Sequence, residues 1–533
     1  MKLPIDESKI PEQDKNATVS LLLEIIHHQA AYIQQLKDEI ANLKKQPPRP
    51  KIKPSSLNQD KSKDQDNSSD EDDKKKKKRP GSKKRKKTAE LVIHDTIDVP
   101  LESVPENSRF AGYKEFVVQG IKICAHNIKY RLETYVTPDG QYISAQLPEN
   151  LQGKHFSPEL IAFAIYQHTH CDVTRPLLLE QLHEIGIDIS RGTLNNILIE
   201  GKDQFHQEKD RILSTGLEIS PFINVDDTGA RHQGQNGYCT VICNPDFSWF
   251  ESTDSKSRIN FLTLLRAGYT DFVINADALA YAFDNKLPKA ALEPLTANCP
   301  ISFDNQSQWD DFLAKNQIVK PRHIKIATEA ALIGAIVEHG ISDKLVIVSD
   351  DAGQFNVLCH ALCWIHANRA IDKVEAFTDQ AKQDLARVKD QIWQLYQGLK
   401  DYKQNPNDDD KVRLENMFDD IFGQTTASNS LNCALERIAR NKAELLLVLQ
   451  RPDIPIENNG AENAIRGYVK KRKVSGSTRS DAGRKCRDTF TSLKQTCRKL
   501  GISYWQYLLD RLQGHNEIPD LAELMRQQAQ GSG

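Results

Sequence analysis

The segment from Phe222 to Ser252 constrains the fold of this chain more than any other. Phe222-Ile223-Asn224-Val225 is a short apolar run that leads into Asp226-Asp227. Asn236-Gly237 is the strongest local hairpin signal and predicts a type I′ turn. Tyr238–Cys243 then reads as a second strand, Asn244-Pro245-Asp246 as a turn and Phe247–Ser252 as a third strand. A helix is predicted over Ser257–Arg266, followed by one more apolar strand, Phe272-Val273-Ile274. A later run, Leu345-Val346-Ile347-Val348, ends in Ser349-Asp350-Asp351. Carboxylates at the end of a buried strand are unfavourable unless compensated, and a divalent cation offsets that cost.

The order strand, strand, strand, helix, strand is that of a ribonuclease-H-like core, a likeness at the level of fold. A third acid stands at Glu462 within Asn458-Asn459-Gly460-Ala461-Glu462-Asn463-Ala464-Ile465-Arg466. With Asn459 as N-cap, Glu462 falls in the first turn of a helix. Asp226, Asp350 and Glu462 supply the hard oxygen ligands that two Mg²⁺ or Mn²⁺ ions need, roughly 3.5–4 Å apart, for phosphoryl transfer. Each acid has an alternative reading. Asp226 or Asp227 can face solvent, and Glu462 can close a capping box. Asp351 and Asp277 rival Asp350, and strand order alone favours Asp277. Arg466, Lys470, Lys471, Arg472 and Lys473 follow Glu462 and are candidates for contact with a DNA backbone.

The rest of the chain predicts a multidomain α/β protein. Val19, Leu22, Ile26, Gln29, Ile33, Leu36, Ile40 and Leu43 form a heptad seam in residues 1–46, with Ile at a and Leu at d. That pattern favours a parallel coiled coil and hence a homodimer or higher oligomer; a helix packed on its own chain is the alternative. Residues 47–90 are polar and predicted disordered. They carry Lys74, Lys75, Lys76 and the basic residues up to Lys87, just after Asp70-Glu71-Asp72-Asp73. Such a run binds phosphates without reading sequence, and a bland solvated linker is the equal alternative. Residues 91–150 alternate apolar and polar, as in Lys114–Val118 and Tyr130–Val136, and predict a small β-rich module. Residues 151–215 predict helices in a helix-turn-helix-like arrangement, with Gly186 in the turn and Arg191 and Asn195 facing base edges; packing alone explains the pattern equally well. The catalytic core is expected over 216–500, with a helical insertion at about 370–450 and a helical tail at 501–533. The 71 Lys and Arg residues nearly balance the 73 Asp and Glu, so positive charge is local, not global. The ten cysteines contain no C-x-x-C pair, which argues against a disulfide scaffold. No apolar stretch is long enough to span a membrane, which points to a cytoplasmic, nucleoid-associated protein.

These residues resemble the insertion sequence 66 family of bacterial transposases. Val225-Asp226-Asp227-Thr228 is similar to that family's A-D-E-T. Ser349–Asn356, followed by Cys363-Trp364-Ile365-His366-Ala367-Asn368-Arg369, is similar to its D-G-Y-A-G-Y-N and C-W-x-H-A-x-R. Ile456–Arg466 is close to I-D-N-N-x-A-E-R-A-L-R. The resemblance implies a metal-dependent enzyme that cleaves element ends and joins them to target DNA, both double-stranded. It favours the Ser349–Asp351 site over Asp277 and leaves Asp350 and Asp351 both open. His366 in that segment is read as a phosphate- or core-contacting residue beside the site, and a satisfied core histidine is the stronger alternative. Relatives often carry a cysteine-rich zinc module, but residues 91–150 hold only Cys124, so no zinc is expected. A catalytically idle DNA-binding derivative and a nuclease without joining activity are the alternative functions.

Overall fold

The computed structural model describes residues 91–101, 103, 108–148, 151–341 and 344–531, together with Val19, Leu22, Ile25, Ile26 and Gln29. Those five positions are helical; the rest of the predicted coiled coil and the whole Lys74–Lys87 run lie outside the described residues. The chain divides into two compact units. The smaller comprises 60–129 and 182–188, and its described residues 91–129 have no regular secondary structure. The predicted Lys114–Val118 strand is therefore absent. Alternation makes a strand only where one face is buried, and Phe116 is 89% exposed. The larger unit opens with a short hairpin of β1 (Thr134–Val136) and β2 (Tyr142–Ser144), turned through Asp139-Gly140 with Gly140 at φ +83°.

The centre of the larger unit is a five-stranded mixed sheet. It is built from β3 (Phe222–Gly229), β4 (Tyr238–Cys243), β5 (Ser248–Thr253), β8 (Val346–Ser349) and β9 (Cys359–Leu362), in the order β5-β4-β3-β8-β9. β3, β4 and β5 form an antiparallel meander, and β8 and β9 run parallel to β3. The meander's first turn is not at Asn236-Gly237. Gln233 and Gly234 both have positive φ, at 48° and 81°, and His232 exchanges backbone hydrogen bonds with Gln235 at 3.1 and 2.8 Å. This is the two-residue pattern of a type I′ turn, three residues upstream of the expected one. Gly237 serves a different purpose: a Cβ there would stand 2.7 Å from the Ala230 carbonyl oxygen.

A second correction concerns the fourth strand. β6 (Phe272–Ile274) pairs with β7 (Ile301–Phe303) in a separate two-stranded sheet, not with β3. The buried helix Pro321–Glu338 covers β6 so closely that a Cβ on Gly334 would overlap the Val273 carbonyl. β6, β7 and the helices from Ala276 to Glu338 thus form an insertion that local pattern did not reveal. The insertion expected after β9 is helical, with Asp379–Gln404, Asp408–Phe422 and Asn429–Ala439 as its main helices. Trp364, beside β9, packs into it against Phe418 and Phe422 and donates to the Leu445 carbonyl at 2.9 Å.

Edge strand β5 is sealed by the helix Asp481–Lys499. The Ser252, Phe250 and Ser248 amides donate to the side chains of Asp488, Ser492 and Thr496 at 2.8, 2.9 and 3.2 Å. The spacing explains the fit. Alternate strand residues lie about 6.6 Å apart, and four helical residues rise about 6 Å. A polar i, i+4 row therefore satisfies every outward amide of this edge and blocks further pairing. Helix Asp203–Ile219 packs on the same layer through Phe205 and Phe490, and the tail joins it where Glu208 accepts from Tyr507 at 2.7 Å and from Arg511 at 3.1 Å. Among the described residues no helix is long and apolar enough to cross a membrane.

Ser492→Ala leaves the buried Phe250 amide without an acceptor, which costs about 1–3 kcal/mol. A lower urea midpoint at unchanged slope is the expected result, and an unchanged midpoint contradicts the sealing role.

Candidate active site

The β3–β8 pairing creates the site. In their parallel register Asn224 is level with Val348. Both acids follow just past this last pair, Asp226 two residues on in β3 and Asp350 one residue after the end of β8 at Ser349, at the same end of the sheet. The helix Asn459–Ser475 packs against β3 and β4 and brings Glu462 to the same place. Burial, and then the negative charges of Asp350, Asp227 and Glu462, push the Asp226 carboxyl up to about 7. Three acids distant in sequence thus act on one another across the end of the sheet.

The neighbours of these acids separate them by orientation. Asp227 turns to the other face of β3, where it accepts from Thr240 at 2.5 Å and Gln354 at 3.1 Å. Asp350 accepts from the Ala352 amide at 3.1 Å. The preceding Ser349 is buried and held between the Asp350 carbonyl, at 2.7 Å, and His360, at 2.8 Å. Asp351 is half exposed and paired with Arg437 of the helical insertion. Asp277 is exposed in the first turn of the helix after β6, outside the sheet that bears Asp226. Strand order alone pointed to Asp277 because β6 and β8 look alike locally. The pairing partner of β3 is what distinguishes them.

Glu462 is not a capping residue. The helix starts one residue earlier than expected, and Asn458 occupies the cap position without capping through its side chain. The Glu462 carboxylate instead lies 3.5 Å from both Arg369 and His366. Arg369 donates to His366 Nε2 at 2.7 Å, and burial and the Arg369 charge hold the imidazole below its ordinary pKa. Among the described residues the buried Nδ1 of His366 and Nε of Arg369 have no hydrogen-bond partner. Cys363 is buried and accepts the Asn458 amide at 3.1 Å, and burial pushes its thiol up to about 11.

Asn458 ties the parts together and was not visible as a site residue in the sequence. It is 1% exposed, donates to the Val225 carbonyl at 2.8 Å and accepts from Asn224 at 2.9 Å. Gly460 allows the helix to approach β3, because a Cβ there would already stand 3.0 Å from the Asn224 side-chain oxygen. The repeated Asn-Asn before Glu462 was the available signal.

The candidate DNA contacts divide. Arg191, Arg466 and Lys473 are exposed, and Lys470 is 70% exposed beside Asp172 at 3.2 Å. Asn195 accepts from Arg175. Lys471 turns inward, donates to the His168 carbonyl, and is pushed down by burial to about 8; it is a packing residue. Arg472 donates to the Gly229 carbonyl and to Thr228, so it braces the end of β3. Arg175 feels the charges of Arg487, Arg191 and Arg479, which together make a cationic face on helices Arg175–Glu184, Arg191–Ile199 and Asp481–Lys499.

Among the described residues no three His, Cys, Asp or Glu side chains stand in a ready-made metal cage. The carboxylates nonetheless fit a divalent cation. Asp226 is buried among like charges, its donors are hard oxygens, and Arg369 is the cation nearest Glu462.

Comparison with known proteins gives the class first. A family model described as "Transposase IS66 family" matches residues 334–486, which contain β8, β9, Asp350, Arg369 and Glu462. A relative from Sinorhizobium fredii (strain NBRC 101917 / NGR234), the uncharacterized protein y4jO, is 41% identical over 303 residues, covering 56% of this chain and 94% of that protein. The chain belongs to the IS66 family of transposases.

Asn458→Ala removes the donor to Val225 and leaves the Asn224 amide unpaired, for a loss of about 1–3 kcal/mol in urea unfolding. Asn458→Asp should lose at least as much, since a buried carboxylate cannot donate to Val225. An Asp variant as stable as the native chain contradicts the assigned hydrogen bonds.

Proposed function

We propose that the chain is a DDE transposase with a ribonuclease-H-like catalytic core, in which Asp226, Asp350 and Glu462 hold two Mg²⁺ or Mn²⁺ ions. One observation carries this reading: the β3–β8 pairing and the helix Asn459–Ser475 gather Asp226, Asp350 and Glu462 at one end of the sheet, where burial and the other acids raise the Asp226 pKa. Structural carboxylates are usually paired with cations, whereas Asp226 has one hydrogen bond, from the Asp227 amide at 2.8 Å, and like charges around it at the end of a sheet. The meander with two parallel strands added beside β3 is the sheet expected of a ribonuclease-H-like core.

When bound, the ions supply an activated attacking oxygen and stabilise the leaving oxygen of an in-line displacement. The remaining work belongs to the protein. Arg369 and His366 aim Glu462. Thr240 and Gln354 keep Asp227 on the opposite face, away from competition with Asp226. Ser349 and His360 fix the strand end that presents Asp350. Arg191, Arg466 and Lys473 face solvent and are free to meet phosphates of element ends or target DNA. The heptad seam in residues 1–46 makes a homodimer or higher oligomer the working assembly, and the cytoplasmic nucleoid its place of action.

Purified protein with Mg²⁺ or Mn²⁺ should nick DNA that carries the element ends and join the freed 3′-hydroxyl to a target duplex. Asp226→Ala and Glu462→Ala should each lower cleavage by roughly 10³-fold or more, with DNA binding retained, and chelation should stop cleavage. Full activity in either variant removes the triad. Binding without cleavage in the native chain means an idle derivative, and cleavage without joined product means a nuclease.

A further inference from the structure

Beside the carboxylates, on the other flank of helix Asn459–Ser475, lies an open cleft of about 1230 Å³. Successive helical residues turn by about 100°, so Glu462 and Arg466 share a flank, while Asn459, Lys470 and Asn463 turn progressively away from Glu462. Those residues and Arg466 line the cleft; Glu462, Asp226 and Asp350 do not. Its far wall is the end of helix Asp379–Gln404, and its floor the end of helix Asp481–Lys499.

The cleft is charged in one sense. Seven Lys and Arg side chains line it against two carboxylates, Asp172 and Glu457. Glu457 is taken by Lys400, at 3.3 Å. Asp172 is shared by Lys470, at 3.2 Å, and Lys471, at 3.9 Å. Among the described residues Lys494 and Lys499 donate to backbone carbonyls, of Thr169 at 2.6 Å and of Asn244 and Phe247 at 2.5 and 2.7 Å, with Asp172 and Asp246 as the acids that act on them, so Asp172 is divided among three lysines. Burial lowers the pKa of both lysines. Arg466 and Arg498 are exposed and have no hydrogen-bond or ion-pair partner among the described residues. Positive charge is costly to gather in this way unless a polyanion completes it, and counterion release then drives binding.

We propose that this cleft is a track for the phosphate backbone of a DNA strand that runs on from the carboxylate cluster across Arg466. The identity of the polyanion rests on the transposase reading. Neither Arg175 nor Arg191 lines the cleft, and it contacts backbone, not bases. Its role is to hold the reacting strand in line as it leaves the site.

The test is equilibrium binding of the full chain to a fluorescein-labelled duplex and to its single strand, without divalent metal, over a salt series. Arg466→Glu with Arg498→Glu should weaken binding about tenfold or more near about 0.1 M salt and lower the slope of log K against log salt by about two. Arg322→Glu, on an exposed surface elsewhere, should change neither. Circular dichroism checks folding, and Arg466→Gln with Arg498→Gln carries the same test if charge reversal unfolds the chain. Folded variants that bind with native affinity and slope overturn the cleft alone. A native chain that binds no DNA overturns the cleft and the transposase reading together. Polyglutamate that binds where DNA does not would assign the cleft to an acidic protein segment and also overturn the proposal.

Discussion

The parallel pairing of β3 with β8 is the constraint on which the rest of this molecule depends. It brings two acids from positions 226 and 350 to one end of a sheet, where Asp226 is largely buried. A sheet cannot tolerate this by itself. Each element around the acids can be understood as limiting the damage or using it. Asp227 is turned away and given two donors, and Asp351 is paired outside with Arg437. Asp226 keeps a single backbone donor and is raised to about 7 by burial and the surrounding acids, which marks it chemically.

The third acid is held by different means. Glu462 sits on a helix, so its position depends on how firmly that helix is pinned to β3. The pinning is polar at the helix start, through Asn458 and Asn224, and apolar further on. Ala461 and Ala464 keep the interface thin, and Tyr468 stacks on Phe250 at 5.9 Å while its hydroxyl meets Ser252 at 2.9 Å. Ser252 is also bound by Asp488 of the edge-sealing helix. The edge seal of β5 and the placement of Glu462 therefore share one residue, which ties the stability of the sheet to the geometry of the acids.

The sequence disclosed local chemistry better than pairing. The meander, its flanking helix and the acid-terminated run before Asp350 could all be read from short patterns, because apolar runs and turn residues act within a few positions. The choice between β6 and β8 could not. Both are short, apolar and followed by an acid, and the difference lies in the helix Pro321–Glu338, which closes over β6 through Gly334. The turn was misplaced for a similar reason. Asn-Gly is the stronger local signal, but Gly237 is needed for close approach to Ala230, and the chain turns at Gln233-Gly234. The basic residues after Glu462 were visible as a run. Which of them turn inward was not, because that depends on the surface the helix meets: Lys471 and Arg472 bind carbonyls, while Arg466 and Lys473 remain outside.

That division within one helix has a mechanical consequence. Its inner face is fixed to the sheet by small residues and Tyr468, and to the helix Pro158–Thr169 by Lys471. One flank carries Glu462 to the acids, the neighbouring flank carries Lys470 to the basic cleft, and Arg466 lies between them on the Glu462 side. The two flanks are one turn apart on a regular helix, so they cannot move independently without breaking backbone hydrogen bonds. Opposite charges that would collapse onto each other on a flexible loop are kept apart by the helix itself. A carboxylate suited to metal and cations suited to phosphate are thereby held at a fixed separation, an arrangement that favours a ligand presenting both a reacting phosphate and a continuing backbone.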